Sequence, residues 1–323
     1  MSGDGPGREA LDFFRINLPI GRYRAWFTAD RPVRFREFPG SAWRGAFGHA
    51  LKDAVCATRF ERCEGCFLYR SCVYPYVFET PPPPDAAKMR RYTAVPHPYV
   101  FDHLALGEGA EACALEFSLF GEANRHLSAI AHALAGAGLG AQGVSGNRLR
   151  LDRLEREPSL GAGQWLALDW SQGLAGAGTP ACPGIPGRPG GDIEVGIETP
   201  LRLKREGRFV GPDRFAFADL FGSLLRRISM LTYFHTPDPL ETDFRGLSAL
   251  SRRVSSEAAL EWKDLRRYSS RQGGIMRMGG VVGSVWVSGE GLEPFWPYLW
   301  LGQWTHAGTG ATMGLGRYRI RPR

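Results

Sequence analysis

The chain has 323 residues, which is long enough to bury a substantial core and suggests two domains. Its 40 Lys and Arg residues outnumber 33 Asp and Glu residues, and the formal net charge of +7 favours an anionic partner such as nucleic acid. No segment approaches the roughly 18 apolar residues that span a bilayer, and the polar, glycine-rich amino terminus is unlike a signal peptide. We therefore expect a cytoplasmic protein with reduced thiols and no membrane partner.

The first half of the chain alternates between strand and helix patterns. Strands are predicted over residues 23–28, 112–120 and 148–155, and helices over 41–58 and 122–137. A stretch dominated by Gly, Pro and Ala then runs over residues 172–192. Its composition predicts a linker or a long exposed loop.

The second half repeats the pattern. Residues 193–204 are predicted to be extended, and a long amphipathic helix follows over 214–234. Strands are predicted over 261–268 and 281–288, with a short helix over 292–302 before a final arginine-rich strand.

With some strands inferred from the pattern rather than located, both halves have the order βαββαβ. This order predicts an α+β protein made of tandem ferredoxin-like, or RRM-like, domains. The expected boundaries are residues 1–171 for the first domain, 172–192 for the linker and 193–323 for the second domain. Because this fold supports many activities, function has to come from particular residues.

A cluster of four glycines precedes a row of alternating arginines at the end of the chain. The residues are Gly308, Gly310, Gly314 and Gly316, followed by Arg317, Arg319, Arg321 and Arg323. The glycines would let backbone N–H groups approach a phosphate, and a strand would place the arginines on one face. A glycine cluster alone is more often only a turn, but the combination predicts a polyanion-binding segment.

This segment resembles the carboxy-terminal glycine-rich loop of the CRISPR repeat-processing endoribonucleases of the RAMP superfamily. Residues 40–52, 199–204 and 262–280 support the resemblance in the same order along the chain. The resemblance implies tandem ferredoxin-like domains with this loop before the last strand. It also implies metal-independent cleavage of CRISPR precursor RNA within its repeat, with repeat or guide RNA and subunits of a CRISPR interference complex as partners.

The first helix carries a candidate catalytic histidine. On a helical wheel the apolar residues form one stripe and His49 falls almost opposite its centre, with Lys52 three residues later. The resemblance implies a catalytic histidine on this helix. We therefore predict His49 as general acid or base, Lys52 as the group that stabilises the phosphorane, and Tyr23 as a weaker candidate at the ribose 2′-OH.

The expected products are a 2′,3′-cyclic phosphate and a 5′-OH. Two alternatives stay open at this point. His49 is also compatible with an ordinary surface histidine, and His306, directly before the glycine cluster, is a rival for the catalytic role or a loop residue that satisfies backbone groups.

Four of the six cysteines lie within seventeen residues, with the spacing C-x6-C-x2-C-x5-C. They are Cys56, Cys63, Cys66 and Cys72. Short loops with four thiols are typical of structural zinc sites, so we predict a metal-binding loop inserted in the first domain. An iron–sulfur cluster and unligated thiols are alternatives, and no catalytic metal is expected.

A basic surface with interleaved aromatics is predicted between Arg245 and Arg277, where eight Lys and Arg face three acids, a local excess of +5 (8 − 3). Its cations are Arg252, Arg253, Lys263, Arg266, Arg267 and Arg271, around Trp262 and Tyr268. Such surfaces hold single-stranded RNA by phosphate contacts and base stacking. The alternative is that the two aromatics are core residues and the arginines a solvated face.

Three functions are compatible with these features. The first is the endoribonuclease, and the second is a non-catalytic RAMP subunit that binds guide RNA. The third is a zinc-stabilised protein–protein adaptor, which leaves the glycine cluster and the arginine row without a purpose.

Overall fold

A computed structural model of the chain describes residues 16–35, 38–89, 94–106, 111–141, 143–170, 174, 180–269 and 274–323. The first unit runs through β1 (Ile20–Thr28), α1 (Pro39–Val55), β2 (Tyr99–Leu106), β3 (Ala112–Phe120), α2 (Leu127–Leu139), β4 (Arg150–Glu157) and β5 (Leu166–Leu168). Its antiparallel sheet has the strand order β2-β3-β1-β4-β5.

The second unit begins with β6 (Ile193–Leu201), a small hairpin of β7 (Lys204–Arg205) and β8 (Arg208–Phe209), α3 (Phe217–His235) and α4 (Phe244–Ser251). It continues with β9 (Ser256–Lys263), the hairpin of β10 (Arg266–Ser269) and β11 (Gly274–Arg277), β12 (Gly280–Val287), α5 (Trp296–Thr305) and β13 (Tyr318–Pro322). Its main sheet has the order β13-β6-β12-β9.

The mixed α+β architecture with antiparallel sheets is confirmed. In each unit the central four strands lie in the order fourth, first, third, second, which is the arrangement of the split βαββαβ unit. The apolar stripe predicted for the long helix is buried in α3, including Phe221, Leu224 and Ile228. No helix in the described ranges is both long enough and apolar enough to span a membrane.

Several elements differ from the sequence prediction, including the short strands β5, β8 and β11, which the pattern does not locate. The pattern also does not locate β2, and it gives little signal for α4 because that helix is short, although Asp243 caps it by accepting the Gly246 N–H at 2.8 Å. The strand predicted over 261–268 is divided between β9 and β10. The division falls where the Trp262 indole donates to Asp264 at 3.0 Å and turns the chain.

The proline-rich segment that joins the units is only partly the exposed linker that its composition predicts. The Trp296 indole donates to the Pro186 carbonyl at 2.7 Å, and Arg188 pairs with Glu293 at 2.9 Å. Ile185 packs on the second core. Residues 171–173 and 175–179 lie outside the described part of the chain.

The connection between α5 and β13 is a closed glycine-rich loop. Its four glycines, Gly308, Gly310, Gly314 and Gly316, all have a positive φ, between 70° and 88°. The loop is closed at its base because the Ala307 N–H donates to the Gly316 carbonyl at 3.1 Å. It lies against the first unit: Gly314 approaches the Phe101 carbonyl, and Gly40 of α1 approaches the Met313 carbonyl.

A buried carboxylate joins the two units beneath this loop. Asp102 of β2 contacts His306 Nε2 at 3.1 Å, Arg317 Nε at 3.4 Å and Arg319 Nη2 at 3.5 Å. From its own unit, Arg22 approaches it at 3.7 Å. Burial opposes ionisation of Asp102, but the hydrogen bond from His306 and the charges of His306, Arg317 and Arg319 hold its pKa below the usual value.

We expect Asp102→Asn to lower the free energy of unfolding by about 3–5 kcal/mol at neutral pH, because it leaves buried cations without their counter-charge. The folded-state pKa of Asp102 is depressed, so its stabilisation is complete above the ordinary aspartate pKa of about 3.9. It is lost as the pH falls towards the lower folded-state pKa. Urea unfolding of both proteins from pH 7 to pH 3 should therefore show a difference that shrinks in acid.

The matched control is Asp53→Asn, which changes an exposed carboxylate of α1 and should change stability little. Equal stability of Asp102→Asn and the wild-type protein at pH 7 would contradict the role of the buried network.

We expect Gly316→Ala to destabilise the protein more than Gly146→Ala. Both glycines have a positive φ, 70° and 80°, but a Cβ at Gly316 would lie 1.8 Å from the Ala307 carbonyl oxygen, whereas Gly146 has open space around it. Backbone strain alone should cost about 1–2 kcal/mol in Gly146→Ala. Thermal and denaturant unfolding of the pair separate the two effects, and equal costs would show that the loop can open.

Candidate functional site

His49 lies on the solvent side of α1. Trp43, Phe47 and Leu51 of the same helix are buried against the sheet and α2, which leaves His49 exposed on the opposite face. Its side chain makes no hydrogen bond or ion pair with any other residue that the structure describes. The helix therefore presents an imidazole with both ring nitrogens open to a ligand.

The other histidines with described side chains are engaged or covered. Burial lowers the pKa of His97 to about 3 and that of His235 to about 4, and it also lowers the pKa of the half-buried His126. His132 is exposed, but its Nδ1 lies 2.9 Å from the Ser128 carbonyl. The side chain of His103 lies outside the described part of the structure.

His306 is fully buried, and both of its ring nitrogens contact protein acceptors. Nδ1 lies 3.2 Å from the Leu315 carbonyl, and Nε2 lies 3.1 Å from Asp102. The residue also has a φ of 57°, at the point where the chain leaves α5. This arrangement matches the structural alternative for His306, because no face of the ring is available to a substrate.

Lys52 is half-buried and points towards the cysteine-rich loop. Its Nζ donates to the Glu61 carbonyl at 2.9 Å and lies 5.8 Å from the centre of the Tyr74 ring. An ammonium has three donors, so this bond leaves two for a phosphate. Its role at the phosphorane stays a prediction.

Tyr23 lies in the core of the first unit. Its side chain is buried beside Phe117, and its hydroxyl donates to Asn124 Oδ1 at 3.1 Å. Burial raises the pKa of Tyr23 to about 12. These observations argue against the predicted role at a ribose 2′-OH, since the hydroxyl would have to be uncovered to reach RNA.

The glycine-rich loop uses much of its backbone hydrogen-bonding capacity within the protein. The Gly308 N–H donates to Ser223 Oγ at 2.8 Å, the Thr309 N–H to the Arg202 carbonyl at 3.1 Å, and the Gly316 N–H to the Pro200 carbonyl at 3.1 Å. Only the short stretch 308–310 is open to solvent, and residues 311–316 are buried. A phosphate would therefore approach the loop at 308–310; binding by the four glycines stays a prediction.

The alternating arginines divide into an inner and an outer pair. Arg317 pairs with Glu198 at 2.8 Å, and Arg319 donates to the Gln303 carbonyl at 3.1 Å, while both contact Asp102. The exposed Arg321 has only a distant partner, Glu194 at 3.8 Å, and Arg323 lies over the Trp286 ring. The inner pair, Arg317 and Arg319, contributes to the contact between the units. Of the outer pair, Arg321 is the more available to an anion.

An open cleft of about 550 Å³ lies between the two units on the side of this network. Arg22 and Arg319 contribute cations to its wall, and Trp300 and Trp304 contribute aromatic surface. Arg22 is held there by Glu157 at 2.9 Å and by Glu116.

Sequence reasoning missed Arg22, Asp102 and their partners. One signal was available: Arg22 and Arg24 alternate with Tyr23 and Ala25 along β1, which places charge on the face opposite the core. The partners on other strands could not be identified before the strand order was known.

The predicted basic surface is only partly described. Arg252, Arg253 and Lys263 are exposed, and Trp262 is 41% exposed, so this tryptophan is not a core residue. The side chains of Arg266, Arg267 and Tyr268 lie outside the description, as does the whole of Arg271. The contribution of all six cations to RNA binding stays a prediction.

The cysteine-rich loop follows α1 directly. Cys56, Cys63, Cys66 and Cys72 all line one small cavity of about 20 Å³. Within the described residues, however, no three His, Cys, Asp or Glu side chains converge closely enough to hold a metal ion as they stand. The predicted metal-binding loop is therefore not established by the geometry alone.

Comparisons with known proteins divide the chain at the same place as the fold. Residues 18–170 match the family model of the AF_1859_N amino-terminal domain, and residues 195–318 match that of the CRISPR-associated endoribonuclease Cas6. No curated protein matches the chain.

Solved structures with the same fold include two Cas6 product complexes. That of Thermus thermophilus Cas6 (TTHB231) is 16% identical with a TM-score of 0.55, and that of Cas6 (TTHA0078) is 17% identical with a TM-score of 0.51. Each comparison covers 94% of this chain and 100% of the other. A partial Cas6-RT-Cas1–Cas2 complex is 14% identical, with a TM-score of 0.53, over 94% of this chain and 46% of the other.

At these identities the solved structures show the shared fold, and the likeness to the family rests on the family model. Residues 195–318, which hold the glycine-rich loop, are similar to the family of CRISPR-associated Cas6 endoribonucleases.

Proposed function

We propose that this protein cuts CRISPR precursor RNA within its repeat without a catalytic metal, leaving a 2′,3′-cyclic phosphate and a 5′-OH. The observation that carries the proposal is the open His49 imidazole on α1 of a chain that matches the Cas6 family. Cyclic phosphate formation uses the adjacent 2′-OH as nucleophile, so the protein has to supply proton transfer and charge stabilisation.

The position of α1 supports this assignment. Gly40, at the start of the helix, packs against Met313 of the glycine-rich loop, and His49 lies nine residues further on, about 13 Å along the helix axis. Gly40 and His49 lie on opposite faces of the helix, because nine residues at about 100° each make two and a half turns. An RNA segment that contacts the loop near 308–310 would therefore pass around α1 to reach His49.

His49 would take the proton of the 2′-OH or give one to the departing 5′-oxygen, since histidine is the side chain most often used for general acid–base catalysis. Lys52 lies one turn further along the helix and would supply positive charge to the phosphorane through the N–H groups that do not bind Glu61. Arg44 lies on the preceding turn of α1 but is directed to the Phe78 ring and His97. In this minimal scheme water makes the second of the two proton transfers, so that the 2′-OH loses a proton and the 5′-oxygen gains one.

The product would be guide RNA, and the partners would be repeat RNA and subunits of a CRISPR complex. The similar Cas6-RT-Cas1–Cas2 complex joins Cas6 to other CRISPR proteins in one assembly, which supports a partner of this kind.

A non-catalytic subunit that binds guide RNA is the second candidate. The burial of Tyr23 and His306 favours this second candidate, because two of the predicted proton-transfer groups are covered. Of the candidates predicted from the sequence, His49 is then the proton-transfer group that is exposed among the described residues. RNA cleavage by the wild-type protein and by one variant, His49→Ala, distinguishes the two functions.

We expect His49→Ala to slow cleavage of the host's repeat RNA about 10²–10⁴-fold in excess EDTA while leaving RNA affinity nearly unchanged. The measurement is single-turnover cleavage of end-labelled RNA, with the chemical ends of the products determined. A cyclic phosphate from the wild-type protein, formed in EDTA, would support both the metal independence and the chemistry.

The matched control is His132→Ala, which removes an exposed histidine from α2 and should cleave at the wild-type rate. Full activity of His49→Ala would contradict the assigned role. Tight binding without cleavage by the wild-type protein would favour the guide-binding subunit.

We expect Trp262→Ala to weaken RNA binding by about 1–3 kcal/mol, because base stacking on an exposed ring is lost. Lys263→Ala should reduce the slope of log affinity against log salt by about 0.7–1, the value of one phosphate contact. Affinities are measured by fluorescence anisotropy with cleavage-inactive protein over a range of salt concentrations.

The control for both is Leu166→Ala, which removes an exposed apolar side chain from the first unit. A salt slope near zero for the wild-type protein, or an unchanged affinity of Trp262→Ala, would show that RNA does not use this surface.

A further inference from the structure

The cysteine-rich loop is a second candidate site, with no part in the proposed cleavage scheme. Its residues run from Cys56, immediately after α1, to Cys72, shortly before the π-helical turn Pro75–Glu79. All four cysteines of the loop are free thiols, and all four line the same cavity. The two cysteines outside the loop, Cys113 and Cys182, do not line it.

The first cysteine is followed by a strained turn. Arg59 has a φ of 57°, a left-handed conformation that is costly for a residue other than glycine. Such strain persists where the surrounding structure requires it, and here it lies between Thr58 and Phe60, which line the cavity together with Cys56.

Hydrogen bonds within the loop hold the other cysteines close to Cys56. Thr58 Oγ1 lies 3.2 Å from Cys66 Sγ and 4.0 Å from Cys56 Sγ, so one hydroxyl joins two of the cysteines. The Cys66 N–H donates to the Cys63 carbonyl at 2.9 Å, which closes a tight turn between that pair. The Cys72 N–H donates to the Leu68 carbonyl at 2.8 Å, which fixes the backbone at the fourth cysteine.

We propose that Cys56, Cys63, Cys66 and Cys72 bind one Zn²⁺ ion as thiolates, in the cavity that they line. Four thiolate ligands satisfy the tetrahedral coordination of a structural zinc site and leave no open position for chemistry. The sulfur atoms do not yet converge on one point, so binding draws them inward as each thiol releases its proton.

The cavity that the cysteines line has a volume of about 20 Å³, which is enough for one water-sized particle. Thiolates also ligate iron–sulfur clusters, which the test below distinguishes from zinc by iron and sulfide content. Soft sulfur ligands also exclude Mg²⁺ and Ca²⁺, which prefer oxygen.

The ion would hold the end of α1 to the rest of the first unit. Cys56 is the residue that ends the helix, with its N–H donating to the Lys52 carbonyl at 2.9 Å, and Lys52 in turn donates to Glu61 within the loop. The loop also presents Phe67, which is 81% exposed, and the half-exposed Phe60. A loop with two aromatics facing solvent has little core of its own, so metal ligation supplies what packing does not.

The test measures metal bound to the full-length chain, purified under reducing conditions and without chelator. Zinc and iron are determined by mass spectrometry, and sulfide by acid release. We expect about one zinc ion per chain in the wild-type protein and in the control Cys182→Ser, with neither iron nor sulfide. Cys63→Ser and Cys66→Ser should each lose most of the zinc.

A second readout does not depend on the folding of the variants. The wild-type protein is freed of metal and titrated with Co²⁺, which should give the visible absorption of tetrahedral cobalt and a thiolate-to-cobalt charge-transfer band at about one equivalent. Removal of zinc should also lower the Tm of the wild-type protein and of Cys182→Ser, since the ion binds only the folded loop.

Zinc at an equal level in wild type, Cys63→Ser and Cys66→Ser would overturn the assignment, because the ion would lie elsewhere. Iron with an equal amount of sulfide would replace it with a cluster. Four freely titrating loop thiols in metal-free wild-type protein, with no cobalt spectrum, would show that the loop holds no metal.

Discussion

The two halves of this chain are joined by one buried carboxylate. Asp102 lies buried on β2 of the first unit, and three of its partners, His306, Arg317 and Arg319, belong to the second unit, while Arg22 approaches it from its own unit. A buried charge without partners is strongly unfavourable, so the units can separate only if Asp102 is protonated or hydrated. The glycine-rich loop lies directly over this contact, and its closed shape depends on His306 at one end and Arg317 at the other.

This constraint changes the meaning of several residues that look like RNA ligands in the sequence. A histidine before a glycine cluster and a row of arginines after it are both typical of a phosphate site. In the folded chain, His306 and the inner arginines serve the contact between units, and the glycines allow a backbone path that a Cβ at Gly316 would block. What stays available to RNA is the short stretch 308–310, the outer arginine Arg321 and the helix that carries His49.

Local patterns predicted the fold well, because hydrophobic periodicity determines helix and strand identity. The apolar stripe of α3 and the solvent position of His49 both follow from spacing along one element. Contacts between strands do not follow from spacing along one element. The position of Tyr23 on the strand before α1 predicts that it lies near the RNA. Alternation along β1 instead places Tyr23 on the core side, and its neighbours Arg22 and Arg24 lie on the opposite, charged face. The partners of Arg22, on β3 and β4, follow only from the strand order.

Two separate parts of the chain contact the helix α1, one at each end. At its start, Gly40 packs on the loop of the second unit, where any side chain would meet the Met313 carbonyl. At its end, the chain passes directly into the cysteine-lined cavity. A catalytic group must be held within a fraction of an ångström of its working position, and a helix held at one end can pivot. In the proposed scheme, the inter-unit contact and the cysteine loop add to the packing of Trp43, Phe47 and Leu51 in fixing the helix that carries His49.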